Sequence, residues 1–431
     1  MFRTAARLTR SRIPTHTRLF SSSGIRRMEI DTESPAALNS LDTFTEEEQM
    51  LRETVQRFAK EVVAPKVREM DEKEKMDPAV IQGLFDQGLM GVEVSPDHGG
   101  AGMSFTSAII AIEELAKVDA SVSVMCDVHN TLVNTILRKY GTTAQQELWL
   151  PLLATKDLGS FCLSEPASGS DAFALQTRAR KDGDHWVIDG SKMWITNSAE
   201  AGVFLIFANT DPSKGYKGIT CFITSAPIEG LEVAKKEQKL GIRASSTCTV
   251  NLHGLRLHED SIIGGIGRGY KIAIQILNEG RIGIAAQMLG LAQGAFDNAV
   301  PYTYQRSQFG QPVGTFQGMA FEIARRAVAI QSARLMTYNA ARRKEELDRR
   351  GAEDADAIAA FAKDAAMAKY WASVVAQDVS GAAIEWMGGV GFTREVGVEK
   401  FWRDSKIGAI YEGTSNIQLQ TIAKFIQKQY S

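Results

Sequence analysis

The chain has 431 residues, of which 44% are hydrophobic and 23% charged, and its formal net charge is −2. This length suggests about three domains that bury cores without disulfide staples, and the composition excludes a disordered or low-complexity chain. The four cysteines have neither CxxC spacing nor the density of a disulfide scaffold, which favours a reducing or neutral compartment.

The N-terminal segment 1–28 differs in character from the rest. It contains seven Arg and neither Asp nor Glu, and without it the chain carries 42 basic and 51 acidic residues, a formal charge of −9. An Arg-, Ser- and Thr-rich, acid-free leader is typical of a mitochondrial transit peptide; a disordered basic tail is the alternative. We therefore expect a transit peptide over 1–28 and a mitochondrial matrix location. The acidic remainder argues against nucleic-acid binding, and the lack of a long uncharged apolar run argues against a membrane span.

Helical signals dominate residues 29–157. Thr45 followed by Glu48 is a capping-box pattern, and apolar residues from Met50 to Val62 then recur at helical spacing. Asp77-Pro78 is typical of an N-cap followed by the first residue of a helix. Three further helices are predicted over 78–87, 105–118 and 142–154.

Short β-type runs replace the helical pattern over 158–265. Turn signals occur at Asp182-Gly183, Asp189-Gly190 and Gly215. The spacing of about ten residues predicts a small antiparallel barrel or sandwich rather than a parallel sheet. The predicted strands lie in FCLS, HWVIDG, KMWIT, VFLIFANT, GITCFIT and TCTVNLHGLRLH.

Helical periodicity returns at Tyr270 and continues to the end of the chain. The charge-rich stretch RRKEELDRRGAEDADA is predicted as a solvated turn between two helices. The predicted fold is therefore an α+β multidomain protein with an N-terminal helical domain over 29–157, a central antiparallel β-barrel or sandwich domain over 158–265 and a C-terminal four-helix bundle over 266–431. The four long helices of the bundle are predicted near 271–305, 316–348, 357–386 and 411–428.

Several common catalytic motifs are missing. The chain has no G-x-G-x-x-G, Walker A, HExxH or G-x-S-x-G pattern, and its six histidines do not have metal-ligand spacing. These absences argue against a Rossmann nicotinamide dehydrogenase and against a zinc or iron enzyme, and we predict no metal site.

Three polar or glycine-rich segments interrupt apolar surroundings. They are FCLSEPASGSD (161–171), KMWITNS (192–198) and IGAIYEGTSNIQLQ (407–420). The backbone N–H groups of the first can bind a phosphate or a flavin edge, and a helix N-terminus in the third can bind an anion. Taken alone, each segment has a more common structural explanation. The first would be an ordinary Pro-Gly turn, the second a strand with its Trp in a hydrophobic core, and the third a loop with its Glu on the solvated surface.

Together these segments resemble the acyl-CoA dehydrogenase family. FCLSEPASGSD, KMWITN, NEGRIGIAAQMLGLAQG, RSQFGQPVGTFQ, EWMGGVGF and IYEGTSNIQ occur in the order and at the spacing of that family, over essentially the whole mature length. LAKVDAS, LGIRASSTC and NEGRIGIAAQMLGLAQG are most similar to the mitochondrial members that act on short and 2-methyl-branched acyl-CoA. The resemblance implies the acyl-CoA dehydrogenase fold and FAD-dependent formation of a trans-2-enoyl-CoA in fatty-acid or isoleucine catabolism.

The resemblance assigns the catalytic base to Glu412, which would take the α-proton of the thioester while a β-hydride goes to flavin N5. Some relatives carry the base on the helix just before the arginine that matches Arg281; this chain has Gly280 there, which disfavours that arrangement. In the family, the backbone N–H of the base and a flavin hydroxyl stabilise the thioester oxygen. Enclosing the carboxylate would raise its pKa.

The resemblance also implies the binding residues. For the thioester these are Ser170, Tyr216, Tyr270, Asn278, Glu279, Gly280 and Arg281. Arg306 and Gln317 match positions that reach the FAD of a neighbouring subunit, which implies a homotetramer. The FAD-binding residues of the same chain are Phe161, Cys162, Leu163, Ser164, Ser170, Trp194, Ile195, Thr196, Glu385, Trp386, Met387, Gly388, Gly389, Thr414, Ser415 and Asn416.

The implied electron acceptor is electron-transfer flavoprotein. Three alternatives stay open: a dehydrogenase of straight short- or medium-chain acyl-CoA, an acyl-CoA oxidase, and a non-catalytic scaffold of the same family. Oxidases of the related type are usually longer and peroxisomal, and the C-terminus QKQYS lacks an SKL-type signal.

Overall fold

The computed structural model describes Leu41, residues 43–351 and residues 354–431. The predicted transit peptide over 1–28 lies outside the described residues. Helices occupy the first and last thirds of the described chain, and strands occupy the middle third.

In the part of the chain that the structure describes, seven α-helices precede the first strand, and their termini follow the sequence signals. Thr45 forms the predicted capping box with Glu48, and Asp77 caps the helix that begins at Pro78. Met50 is 69% exposed, so its predicted place on the apolar face is wrong. The helices are α1 (Glu46–Phe58), α2 (Val67–Lys73), α3 (Pro78–Asp86), α4 (Phe105–Ala116), α5 (Ala120–Asp127), α6 (Thr135–Tyr140) and α7 (Thr143–Thr155), with π-helical turns at Ala59–Val63 and Val128–Asn134.

The middle third forms an eight-stranded sheet that does not close into a barrel. Its order is β6-β7-β3-β2-β4-β5-β8, with β1 paired to β4 in parallel. All other ladders are antiparallel except a single parallel pair between β2 and β4, Arg178 with Asn209. The strands are β1 (Leu158–Cys162), β2 (Arg178–Asp182), β3 (His185–Thr196), β4 (Ala201–Asn209), β5 (Ile219–Ser225), β6 (Leu231–Lys236), β7 (Thr247–His258) and β8 (Ile262–Ile263).

Two predictions about turns in this sheet have different outcomes. Asp182-Gly183 forms the β2–β3 hairpin, as predicted. The turn predicted at Asp189-Gly190 is wrong: β3 continues through it, and its register on β7 shifts between Ile188 and Gly190. Gly190 has φ 152°, and a Cβ there would lie 2.4 Å from Thr177 Oγ1, so this glycine marks a bulge with a close side-chain approach.

The central strand β4 joins the sheet to the helices. Its residues from Val203 to Asn209 are all buried. Val203, Leu205 and Phe207 pack into the large helical core, whereas Phe204, Ile206 and Ala208 pack into the core of the β region. A strand that is buried on both faces has a nearly continuous run of apolar residues in its sequence. The segment VFLIFANT, most of which lies in β4, has such a run.

The last third contains four long or terminal helices and one short helix that the periodicity did not predict. The charge-rich stretch RRKEELDRRGAEDADA contains the connection between two helices, as predicted, since α9 ends at Arg350 and α10 begins at Ala355. Its first part, RRKEELDRR, is helix rather than a solvated turn, and Lys344 is buried. The elements are α8 (Gly269–Gln305), the short pair β9 (Ser307–Gln308) and β10 (Gln311–Pro312), α9 (Gln317–Arg350), α10 (Ala355–Met387), α11 (Val398–Ser405) and α12 (Ser415–Tyr430). None of the described helices has the length and hydropathy needed to cross a bilayer.

The unpredicted helix α11 connects all three regions. Arg403 pairs with Asp71 of α2 at 2.7 Å, and Asp404 accepts a 2.6 Å hydrogen bond from the backbone N–H of Ile242, which follows β6. A 3-10 turn over Lys406–Ala409 follows directly. Helix α11, which precedes this turn and the start of α12, is therefore bound to both of the other regions.

Candidate active site

A cleft of about 470 Å³ lies where β1, β3, α8 and α12 meet. Part of the lining comes from the sheet and the loop after β1, and part from α8, the Glu412 loop and residues 417–425 of α12. The cleft is lined by Val128, Leu132, Phe161, Leu163, Ser164, Gly169, Ser170, Ala172, Phe173, Trp194, Ile195, Thr196, Ile274, Leu277, Asn278, Arg281, Ala362, Glu412, Gly413, Ile417, Gln420, Thr421, Lys424 and Phe425.

Glu412 supplies the carboxylate of this cleft. It lies in the loop between the 3-10 turn and α12, in a left-handed conformation with φ 49°. Its Oε2 atom is buried and has no hydrogen-bond partner among the described residues. A Cβ at Gly280 of α8 would lie 3.0 Å from Oε2, so the carboxylate rests against a helix backbone that only glycine leaves open. An unpartnered buried carboxylate oxygen beside an open cleft is available to accept a proton from a bound molecule.

Burial raises the pKa of Glu412 above its usual range, because the charged form loses hydration. The positive charges of Lys369 and Arg281 oppose this rise. Burial also raises the pKa of the nearby Asp127 well above its usual range, and the charge of Glu412 adds to that rise. The environment therefore favours a neutral Asp127 and brings the pKa of Glu412 toward the range of a general base.

Two buried side chains fix the backbone of the Glu412 loop. Lys369 Nζ donates to the carbonyl oxygens of Gly408 at 2.6 Å and Gly413 at 2.7 Å. Gln418 Nε2 donates to the carbonyl oxygens of Glu412 at 3.0 Å and Gly413 at 2.9 Å. These four bonds hold the strained residue in place from α10 on one side and α12 on the other.

The sheet wall of the cleft is apolar with hydroxyl groups at its edge. Phe161, Leu163 and Ile195 supply the apolar surface, and Trp194 is 55% exposed beside it. The register of β3 on β7 shifts between Lys192 and Ile195, and Trp194 has φ 65°. The bulge thus turns the indole out of the core. Ser164, Ser170 and Thr196 also line this wall.

These residues fit FAD, the cofactor implied by the sequence. A flat apolar wall with an exposed indole suits a planar ring system, and the hydroxyls suit its polar edge. Arg281 Nε and Glu412 Oε2 are both buried, and neither has a hydrogen-bond partner among the described residues. One donor and one acceptor are therefore available to hydrogen-bond a bound molecule. Thr414 caps α12 by accepting from the Ile417 N–H, and Ser415 and Asn416 begin that helix. None of these three residues lines the cleft, which Gly413 and Ile417 line on either side of them.

The predicted thioester residues separate into three groups. Asn278 and Arg281 line the cleft, and Asn278 Oδ1 accepts from Arg281 Nη1 at 2.9 Å. Tyr216 and Tyr270 do not line the cleft; their rings pair with centroids 4.4 Å apart. Glu279 is buried in an ion-pair cluster with Lys139 at 2.5 Å and with Lys344, so the structure does not bring its carboxylate into the cleft.

Other predicted cofactor residues lie away from the cleft. Cys162 is buried in the core of the β region, and Trp386 and Met387 are buried in the helical core. Arg306 and Gln317 are exposed at the junction of α8 and α9, and neither lines this cleft. Glu385, Gly388 and Gly389 are exposed at the end of α10.

The sequence analysis missed three residues that shape the site. Lys369, Asp127 and Gln418 are all buried and all act on the Glu412 loop or its charge. The signal for Lys369 was present as a single cation within the alanine-rich stretch AAMAKYWAS. Nothing local indicated which residues Lys369 would contact.

The family models and the individual proteins that are similar to this chain all describe the same type of protein. The family models described as the N-terminal, middle and C-terminal domains of acyl-CoA dehydrogenase match residues 45–157, 160–255 and 267–427. The chain is 54% identical over 390 residues to the mitochondrial short/branched chain specific acyl-CoA dehydrogenase of Rattus norvegicus, covering 90% of this chain and 88% of that protein.

Two further relatives are also similar over most of the chain. The mitochondrial short-chain specific acyl-CoA dehydrogenase of Bos taurus is 42% identical over 386 residues, covering 89% of this chain and 91% of that protein. The solved butyryl-CoA dehydrogenase of Megasphaera elsdenii superposes with a TM-score of 0.85 at 37% identity, covering 89% of this chain and 99% of that one.

Proposed function

Since this chain belongs to the acyl-CoA dehydrogenase family, we propose that its cleft oxidises a short or 2-methyl-branched acyl-CoA to the trans-2-enoyl-CoA, with Glu412 as the base. The protein is an acyl-CoA dehydrogenase, a flavin-dependent oxidoreductase that acts on a CH–CH group. The buried, unpartnered Oε2 of Glu412 against Gly280 is the observation that carries the proposed role of this residue.

The cofactor is FAD, which when bound accepts the hydride that leaves the β-carbon. Phe161, Leu163, Ile195 and Trp194 would hold its ring system, and Ser164, Ser170 and Thr196 its polar edge. The start of α12 (Thr414, Ser415 and Asn416) would bind its anionic part, since the N–H groups of a helix N-terminus favour negative charge. We propose the remaining contacts at Cys162 and at 385–389 through backbone groups, because Cys162, Trp386 and Met387 are buried.

The protein's own residues accept the proton that leaves the substrate. A hydrogen on the carbon next to a thioester is weakly acidic, and the Glu412 carboxylate takes it while the β-hydride leaves; the C–H electron pair on the α-carbon forms the new double bond. Charge develops on the thioester oxygen, and the backbone N–H of Glu412 would donate to it. We propose that Ser170, Asn278 and Arg281 orient the thioester from the cleft wall, and that Tyr216, Tyr270, Glu279 and Gly280 shape the approach to it.

Substrate preference gives the first test. The cleft lining includes the apolar side chains of Val128 and Leu132, and the 54% identical rat relative is named for short and branched chains. We expect 2-methylbutyryl-CoA, added anaerobically to the purified yellow protein, to bleach the flavin band faster than octanoyl-CoA does. Stopped-flow absorbance measures the rates, with butyryl-CoA as the straight-chain comparison.

Each alternative function has its own outcome in this experiment. Fastest bleaching by butyryl-CoA or octanoyl-CoA would replace the branched-chain assignment with a straight-chain dehydrogenase. Rapid reoxidation by O₂ with stoichiometric peroxide would indicate an oxidase. A colourless protein that no acyl-CoA affects would indicate a scaffold.

The pH profile gives a second test of the base. The pKa of Glu412 is raised, and only its charged form can accept a proton. The value of kcat/KM for the preferred acyl-CoA should therefore be constant at higher pH and fall as the pH drops through a pKa above 4.5, the ordinary Glu value. Steady-state rates with an artificial electron acceptor between pH 5 and about pH 8 measure this limb; a profile without an acid limb would contradict the assignment of Glu412 as the base.

We further propose that the protein works as a homotetramer in the mitochondrial matrix and passes its electrons to electron-transfer flavoprotein. The mitochondrial relatives support the mitochondrial location. Arg306 and Gln317 are exposed, as residues that reach the FAD of a neighbouring subunit would be before assembly. Phe309 and Phe392 are 96% and 83% exposed, which supports subunit contacts. The proposed domain limits are 29–157, 158–265 and 266–431, with strands running from Leu158 to Ile263 between the two helical regions.

A further inference from the structure

Lys369 differs from the other buried lysines of the described residues. Lys192, Lys344 and Lys400 each form ion pairs with carboxylates. Lys369 is fully buried on α10, and its Nζ forms no ion pair within the described part of the chain. Its ammonium group instead donates to the carbonyl oxygens of Gly408 and Gly413. A buried cation bound to neutral carbonyls is costly, so its retention at this place calls for a function.

The two carbonyls bracket the base in the chain. Gly408 lies shortly before Glu412, and Gly413 follows it directly. Ser373, one turn further along α10, also donates to the Gly408 carbonyl at 2.9 Å. A residue with φ 49° that is not glycine is held by its surroundings rather than by its own preference. Lys369 supplies two of the bonds that hold it.

The charge of Lys369 also acts on the carboxylate. Burial lowers the pKa of Lys369 to about 7, while the charge of Glu412 raises it. Arg281 faces Glu412 from α8, and Asp127 and Tyr411 lie close enough to feel its charge. Burial raises the pKa of both Asp127 and Tyr411 and so favours their neutral forms. Lys369 and Arg281 are thus the cations that favour the charged form of Glu412.

We propose that Lys369 is a positioning residue for the base: its ammonium group clamps the Glu412 loop through the Gly408 and Gly413 carbonyls and favours the ionised form of the Glu412 carboxylate at the cleft. This inference rests on the proposed role of Glu412. Lys369 does not line the cleft, so this role is exercised through the Glu412 loop.

Lys369→Met and Lys369→Gln test the two parts of this role. Met removes the charge and all donors, whereas Gln removes the charge and keeps an amide donor. Both variants should move the acid limb of kcat/KM upward by about one pH unit, since an opposite charge near a carboxylate lowers its pKa by about that amount or more. Only Met should also lower kcat at the optimal pH, by about tenfold, because the loop loses its anchor. KM should change little in either variant.

Ser373→Ala is the matched control. It removes one bond to the same Gly408 carbonyl from the same helix without changing any charge, so its acid limb should stay at the wild-type pH. Lys400→Met adds a control for general damage, because Lys400 is buried and pairs with Asp119 and Asp404 outside the cleft. An acid limb that stays in place in both Lys369 variants would overturn the proposal, as would an equal shift in either control.

A double-mutant cycle separates failure of this inference from failure of the proposed function, because it needs no turnover. Urea unfolding of the FAD-loaded wild type, Lys369→Met, Glu412→Gln and the double variant gives the coupling between the two side chains. The coupling should be most favourable near pH 7, where Glu412 is ionised and part of Lys369, with its pKa of about 7, is still protonated. It should shrink at pH 5 as Glu412 gains a proton and at pH 9 as Lys369 loses one. Zero coupling at all three pH values would overturn the charge interaction even in a protein that oxidises no acyl-CoA.

Discussion

Glu412→Gln is expected to retain FAD and acyl-CoA binding and to lose about 10³-fold in kcat, because general-base catalysis typically contributes 10²–10⁴-fold. The amide has nearly the shape of the carboxylate, so the cleft and the contact with Gly280 should persist. It cannot accept the α-proton, however. Anaerobic flavin bleaching in a stopped-flow instrument measures the chemical step directly, and the flavin absorbance of the purified variant reports cofactor content.

Glu200→Gln is the matched control for this substitution. Burial raises the pKa of Glu200 as it does that of Glu412, but Glu200 bonds to Ser246 and does not line the cleft. The control should bleach at the wild-type rate. If Glu412→Gln also bleached at that rate, another group would have to be the base, and the assignment drawn from the unpartnered Oε2 would be wrong.

Gly280→Ala is expected to lower kcat by about 10²-fold, the cost of displacing a reacting group by about 1 Å. A Cβ at this position would lie 3.0 Å from Glu412 Oε2 and 2.9 Å from Leu132 Cδ2. Both neighbours would have to shift, and Glu412 sits in a loop whose backbone is held by Lys369 and Gln418. The carboxylate would therefore move away from its place while FAD remains bound. Rapid bleaching kinetics and KM measure the effect, which should fall on kcat.

Gly381→Ala shows what a helical glycine does when its Cβ has room. Its nearest neighbour would be Trp402 Cδ1 at 3.6 Å, an ordinary contact. Alanine is the better helix former by about 1 kcal/mol, so this variant should keep full kcat and resist urea slightly better. A Gly280→Ala enzyme as active as Gly381→Ala would mean that the carboxylate tolerates displacement.

The local features of the fold could be predicted because their causes lie close together in the chain. The capping box of Thr45 with Glu48 and the start of α3 at Asp77-Pro78 depend on contacts between near neighbours in sequence. The same local signals give wrong predictions where contacts with residues distant in the chain determine the conformation. Asp189-Gly190 is a turn signal, but pairing with β7, a strand far along the chain, keeps β3 extended through it. The charges of RRKEELDRR suggest a solvated turn, yet Lys344 is buried because Glu279 and Asp348 pair with it.

The order of helical, β and helical regions, the family, and Glu412 as the candidate base could all be inferred without coordinates, because ordered motifs and periodicity are properties of the chain alone. The surroundings of that base could not. Lys369 and Asp127 lie far from Glu412 in the chain, and no sequence pattern links them to it. They meet because α8 packs against α5 and α10, and because α11 holds the turn before the loop. A carboxylate becomes a base through the burial and charges around it, and these are set by packing between distant segments.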